Sequence, residues 1–217
     1  MKLIVKEIFF SLQGETTTTG FPSLFIRLTG CNLRCRYCDS EYAWNGGSEM
    51  EIAAIMAKIH NETGIHHITI TGGEPLCQEN VRYLIKNLCD GGYNVQIETN
   101  GSLPLEKIDA RARKIVDVKT PSSGEDSSFL MENLTCLNPH DEIKFVIGDT
   151  TDYNFARDFT RKHLEKLDST VNFSPVYGNI TYNTMASWIL RDRLMVRLNL
   201  QLHKIAELET DGEKNFL

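Results

Sequence analysis

At the start of this 217-residue chain no apolar run is long enough to form a secretory core or a membrane span, because Lys6 and Glu7 interrupt "MKLIVKEIFFSLQGE". A cytoplasmic protein is expected. Positive charge is also in short supply: 23 Lys and Arg stand against 29 Asp and Glu, a net charge of -6, so bulk charge argues against a nucleic-acid scaffold or a binder of anionic membranes. Internal repeats, low-complexity tracts and composition shifts are missing. One domain is therefore expected over 1–217, with the acidic tail 205–217 as a short helix or a mobile end. Nor are the six cysteines distributed like a secreted disulfide framework. Three crowd into "CNLRCRYCDS", residues 31–40, with no fourth cysteine nearby.

What is present alternates between strand and helix. "KEIFFSLQGE" and "SLFIRLTG" read as strands joined through "TTTTGFPS", the second with Leu24, Ile26 and Leu28 on one face and Phe25, Arg27 and Thr29 on the other. Ser48 and Glu51 have capping-box spacing ahead of a helical stripe of Ile52, Ile55, Met56 and Ile59, which predicts a helix ending near Gly64. Then follow a strand "HHITIT", a turn "GGEP", a helix "NVRYLIKNL" and the strands "NVQIETNG", "RKIVDVKTP" and "EIKFVIGD". Phe155, Phe159, His163 and Leu167 give a helix over 151–167, before a strand "VNFSPVY", a short helix at "MASWIL" and a long strand "RLMVRLNLQLHK". The segment "TPSSGEDSSFLMENLT" reads as a surface loop. Such a βα series implies parallel strands with crossover helices, in an open α/β sheet or a partial barrel with fewer helices than strands.

Thiolates suit zinc or an iron-sulfur cluster, but a structural zinc site takes four ligands. His60, His66 and His67 are the histidines that count as a possible fourth. The Cys-x3-Cys-x2-Cys spacing of Cys31, Cys35 and Cys38, followed some forty residues later by "ITGGEP", resembles the radical S-adenosylmethionine (SAM) superfamily. There the three thiolates hold three irons of a [4Fe-4S] cluster, and SAM chelates the fourth. "SLQGE", "FIRLTGCNLRCRYCDSEYAW", "IETNG", "VDVKTPSSG" and "LQLHK" further resemble the 7-carboxy-7-deazaguanine synthases, from about residue 7 to 204.

The resemblance implies an incomplete TIM-like β/α barrel of the radical SAM type and a lyase of 7-deazapurine, queuosine-type biosynthesis. It would convert 6-carboxy-5,6,7,8-tetrahydropterin to 7-carboxy-7-deazaguanine with loss of ammonia and no net oxidation. One electron from the cluster splits SAM, the resulting 5'-deoxyadenosyl radical takes hydrogen from C6 of the pterin, and SAM is re-formed. Further implications are Mg2+, a flavodoxin- or ferredoxin-like electron donor and a homodimer; no direct nucleic-acid or membrane partner is expected.

By the same likeness, Leu12, Gln13, Gly14, Glu15, Thr71 and His203 contact substrate, and Arg27 grips its carboxylate with a bidentate fork. Ser40 stands where the family commonly has a Thr that helps bind Mg2+. Tyr37, Cys38 and Asp39 frame SAM's adenosine, while Gly73 and Glu74 serve its methionine end. Glu98, Asp117, Val118, Lys119 and the stretch Asn172, Phe173, Ser174 and Pro175 complete the SAM contacts. Simpler roles stay open: an acidic neighbour for Arg27, a turn cap at Ser40, a solvated His203, and plain core at 172–175. Rival functions are a radical SAM activase of a glycyl-radical enzyme, a non-enzymatic zinc module and a single-cluster electron carrier.

Overall fold

The computed structural model describes residues 1–206. The expected tail element beyond Ala206 lies outside the described residues. One nine-stranded sheet organises the chain. Its strands are β1 (Lys2–Leu12), β2 (Pro22–Leu28), β3 (Ser48–Glu51), β4 (His67–Gly72), β5 (Asn94–Thr99), β6 (Arg113–Asp117), β7 (Glu142–Ile147), β8 (Thr170–Pro175) and β9 (Arg197–Leu198). They lie in the order β3-β1-β2-β4-β5-β6-β7-β8-β9. From β2 to β9 every neighbouring pair is parallel, whereas β1 runs antiparallel to both β2 and β3. This is the expected incomplete β/α barrel, with an antiparallel hairpin added at its leading edge.

Period-two alternation gives the sheet two unlike faces. Ile68 and Ile70 of β4, Val95 and Ile97 of β5, and Leu24, Ile26 and Leu28 of β2 share an aliphatic core with Ile52, Ile55 and Ile59 of α1 (Ile52–Asn61) and Leu84, Ile85 and Leu88 of α2 (Val81–Asp90). Phe145 of β7 and Phe173 of β8 pack edge-to-face, centroids 5.5 Å apart, in a second core. That core includes Tyr153 of α3 (Thr150–Phe159) and Met185 and Ile189 of α4 (Tyr182–Asp192). The intervening residues Thr69, Thr71, Gln96, Glu98, Glu142, Lys144, Asn172 and Ser174 make the inner face, which is therefore polar even where little solvent reaches it.

The loop after β1 crosses this polar interior. Thr16, fully buried with φ 69°, receives the Asn199 side-chain carbonyl at its N–H (2.9 Å); Thr17 N–H donates to Glu142 (3.1 Å) and the Thr18 hydroxyl to Gln96 Oε1 (3.0 Å). A stretch that reads as a plain turn thus joins the leading hairpin to the trailing strands and closes the open barrel.

Three local expectations need correction. Ser48 and Glu51 do not form a capping box: they belong to β3, paired with β1, and α1 starts at Ile52 without a side-chain cap. The long final strand shrinks to Arg197–Leu198, because Leu202 N–H turns back to Gly14 O (2.8 Å) and starts a single helical turn, α5 (Leu202–Ile205). The predicted surface loop after Thr120 contains two short 3-10 turns, Pro121–Ser123 and Met131–Cys136.

Candidate active site

At the carboxyl ends of the parallel strands, where α/β barrels place their chemistry, lie two adjoining compartments. The first, about 180 Å³, is lined by Cys31, Cys35, Cys38, Tyr37, Gly73, Asn100, Asp117 and Lys119, and by Val146, Val176 and Tyr177. The second, about 340 Å³, lies under the hairpin and is lined by Phe9, Leu12, Gln13, Gly14, Phe25, Arg27, Tyr42 and His203. Glu15, Asp39, Ser40, Thr71, Glu98, Lys144 and Lys204 line both.

The cysteine loop is held to the barrel by backbone. Gly73 N–H reaches Leu28 O (3.3 Å) and Glu74 N–H reaches Gly30 O (2.7 Å). A Cβ on Gly73 would stand 2.3 Å from Gly30 O and 2.8 Å from the Cys31 Cβ, and one on Gly72, at φ 150°, 2.1 Å from Leu28 O. Both positions thus require glycine so that the turn can pack against the loop carrying the first thiol. All three cysteines are free and half-buried, and burial pushes the thiols of Cys31 and Cys35 up. Neutral thiols in that setting need a bound cationic group to ionise.

The donors fit an iron-sulfur cluster. Three thiols share one wall, while among the described residues no three His, Cys, Asp or Glu side chains converge on a point for a single ion. A cluster spreads its thiolates over separate irons; a zinc ion needs them gathered. His67 begins β4 at the far end of the barrel, and neither His60 nor His66 lines this cavity, so no histidine completes a zinc set. Buried Gln201 Oε1, also on this wall, has no protein donor and suits a hydroxyl or amine of a bound nucleotide.

Charge is concentrated on the shared wall. Lys144 Nζ lies 2.8 Å from Glu15 Oε2 and 3.4 Å from Asp117 Oδ1, and Lys119 Nζ lies 3.0 Å from Asp117 Oδ2. Gln201 donates to the other Glu15 oxygen at 2.6 Å. Burial alone would raise Glu15 and Asp117, but Lys144 and Lys119 outweigh it and hold both below the usual carboxylate range. Burial likewise works against the charge on Lys144, yet Asp117, Glu15 and Glu98 hold its pKa well above the ordinary value. Glu98 goes the other way: burial raises it, although it accepts from Thr71 (2.9 Å) and Gln13 (3.3 Å).

The hairpin compartment has a flat aromatic side. Phe9 and Phe25 stack at 4.9 Å and 6°, and the Arg27 guanidinium lies 5.6 Å from the Phe9 centroid and 5.5 Å from that of Tyr42. Glu7 takes Arg27 Nε at 2.6 Å and the Tyr42 hydroxyl at 2.8 Å. The acidic neighbour therefore exists, and it fixes one edge of the guanidinium. His203 Nδ1 packs on Gly14, 2.0 Å from where a Cβ would stand, and burial lowers the His203 pKa. Ser40 accompanies Asp39, their oxygens 3.3 Å apart, rather than capping the turn that follows it.

Several residues assigned to SAM do not line either compartment. Glu74 is enclosed, accepting from Leu76 N–H (3.0 Å), Thr99 Oγ1 (2.8 Å) and Asn100 N–H (2.6 Å); it ties the GGEP turn to β5. Val118 and Phe173 point to the outer face and lie in the aromatic core, and Pro175 shares their parity on β8. Asn172 and Ser174 face inward but are occupied, by Glu142 (2.7 Å) and Asn199 (2.8 Å). The wall from this strand is instead Val176 and Tyr177, one step past its end. Lys144, the centre of the charge network, was missed because "EIKFVIGD" reads only as a strand; its inward parity with Glu142 was the available signal.

Comparison with known proteins follows the same lines. The radical SAM superfamily model matches residues 25–122. A 7-carboxy-7-deazaguanine synthase of Koribacter versatilis is 48% identical, covering 96% of this chain and 99% of its own; one from Chlorobaculum tepidum is 40% identical over 93% of each. Among solved structures, QueE from Escherichia coli superposes with a TM-score of 0.78 at 25% identity, covering 94% of this chain and 95% of that one. Streptococcus suis SuiB shares the fold, with a TM-score of 0.55 at 14% identity over 82% of this chain and 47% of its own.

Proposed function

The chain belongs to the 7-carboxy-7-deazaguanine synthases of the radical SAM superfamily, and from that membership we propose how its two compartments divide the work of converting 6-carboxy-5,6,7,8-tetrahydropterin to 7-carboxy-7-deazaguanine and ammonia. One observation carries the division: thiols line one compartment, a flat aromatic surface with Arg27 lines the other, and Thr71, Glu98, Glu15 and Lys144 belong to both. Substrate and cofactor would meet across that wall.

Cys31, Cys35 and Cys38 would hold the [4Fe-4S] cluster, with Tyr37, Gly73, Asn100, Asp117 and Lys119 around SAM. When bound, cluster and SAM would supply reversible hydrogen-atom abstraction, the atom taken from the substrate being the one given back after rearrangement. The protein's own part is positioning. Phe9, Phe25 and Tyr42 offer a dry surface to the bicyclic ring. Glu98 and Glu15 present acceptors to its amino-pyrimidinone edge, and the Arg27 nitrogens left over from Glu7 take the carboxylate. Lys144 keeps Glu15 and Asp117 ionised inside the barrel, so charge is set before substrate arrives.

Mg2+ would sit at Ser40, beside Asp39. It keeps several waters and substrate oxygens, so one or two protein oxygens suffice. A reducing cytoplasm suits six free cysteines; a flavodoxin- or ferredoxin-like donor would deliver the electron, and two copies would pair as a homodimer. An activase would need a protein substrate, and an aromatic compartment of about 340 Å³ fits a small planar one. The test is anaerobic incubation of reconstituted protein with SAM, dithionite, Mg2+ and the pterin, followed by mass spectrometry. The new product is expected at many turnovers per chain; iron-loaded protein that cleaves SAM but yields none would reject the assignment.

A further inference from the structure

At the opposite mouth of the barrel lies a third cavity, about 340 Å³, which the reaction does not use. It is built from the amino ends of the parallel strands: His67 and Thr69 of β4, Asn94 and Gln96 of β5, Arg113 of β6, with Arg111 and His140 just before β6 and β7. The loop Gln13–Phe21 separates it from the active site, and Gln13 touches both, donating Nε2 to Thr69 Oγ1 and to Glu98 Oε1 (3.3 Å each).

The charged side chains of the lining, Arg111 and Arg113, are both basic, and among the described residues no carboxylate lines it. Their acidic partners lie outside. Glu142 and Thr17 use only Nη1 of Arg113, leaving Nε and Nη2, while Asp109 and Asp90 use Nε and Nη2 of Arg111, leaving Nη1. A second, independent feature sits deeper: Gln96 is 95% buried (5% exposed), its Oε1 accepts from Thr18, and its Nε2 has no partner. A buried donor without an acceptor is destabilising, and a ligand oxygen would satisfy it.

We propose that this cavity is a second ligand site, for a small oxyanion (a phosphate or carboxylate group) held by Arg113 and Arg111 at the rim and by Gln96 Nε2 at the floor. Guanidinium donors at the entrance and a neutral amide at depth match such a group in charge and hydrogen bonding. The site stands apart from substrate binding at the other mouth.

Titrating the anaerobically reconstituted full chain with sodium phosphate and with sodium citrate, followed through the Gln96 side-chain amide in two-dimensional NMR, tests it; Gln96→Leu assigns the resonance, and sodium chloride controls for ionic strength. Saturable shifts are expected with phosphate, citrate or both, and which salt acts separates the two oxyanion classes. Asn94→Glu, at an exposed rim position of β5, adds a negative charge without touching the core and should weaken binding about tenfold. Shifts equal to those with chloride, no saturation with either salt, or unchanged affinity in Asn94→Glu would overturn the proposal.

Discussion

The two compartments at the carboxyl end of the barrel are built on different principles. On the hairpin side and the wall it shares with its neighbour, nearly every polar group already has a protein partner: Glu15 has Lys144 and Gln201, Glu98 has Thr71 and Gln13, Arg27 has Glu7. On the thiol side, among the described residues, only Cys31 of the three sulfurs accepts a hydrogen bond from a protein N–H, from Leu33 at 3.5 Å. A strand-borne surface is set by folding. A loop-borne surface, held by glycine contacts and backbone bonds, leaves its functional atoms for a group the chain does not encode. Damage to the first should therefore register in stability and in substrate use together, and damage to the second in chemistry alone.

That contrast can be broken most directly at a sulfur. Cys35→Ala should reduce product formation about a thousandfold or more and abolish SAM cleavage, with iron and acid-labile sulfide falling, while melting of the metal-free chain shifts by only a few degrees, since the half-buried thiol makes no hydrogen bond. A large drop in the melting temperature of metal-free Cys35→Ala would place the loop among the structural parts. Lys144→Met is the counterpart on the shared wall. It leaves Glu15 a largely buried carboxylate with no ion pair and Asp117 with Lys119 alone, so we expect destabilisation of about 3 kcal/mol by denaturant titration, together with loss of turnover. Normal stability in Lys144→Met would mean that the network is solvated.

The same network sharpens the comparison through pH. Glu15 lies below its unfolded value, about 4.3, so its stabilisation is present above that pH and lost as acid passes through the lower folded value; Lys144 lies above about 10.4 and loses its share as alkali passes through the higher one. Glu98, raised by burial, has the sign opposite to Glu15 and softens the acid limb. The melting temperature of metal-free protein should be flat across neutral pH and fall at both ends, and Lys144→Met, which leaves burial free to raise Glu15, should flatten the acid limb. The smallest effect is expected at Ser40. Ser40→Thr keeps the hydroxyl and should change the Mg2+ concentration for half-maximal activity by no more than about threefold; a larger change would show that the methyl group matters there.

How far the sequence discloses this arrangement depends on which atoms do the work. The barrel is legible because β2, β4 and β5 alternate apolar and polar residues, and the thiols because three cysteines at fixed spacing have few other uses. Glu74 misleads because a motif names a position, not a direction: its backbone holds the cysteine loop while its side chain turns to β5. Phe173 misleads for want of parity, since only alternate residues of β8 face the interior. Lys144 and the crossing loop at Thr16–Thr18 are invisible beforehand, because their importance comes from partners as far as 129 and 183 residues away in sequence. Ser48 carries a genuine capping signal, overridden when β1 offers its edge.

The central claim is that cofactor cleavage belongs to one compartment and substrate placement to its neighbour. Arg27→Ala tests it when product and cleaved SAM are quantified in the same anaerobic reaction. Product should fall about ten- to hundredfold while SAM cleavage without substrate stays near the wild-type rate, because the lost contact lies wholly on the hairpin side. Equal loss of both activities would contradict it.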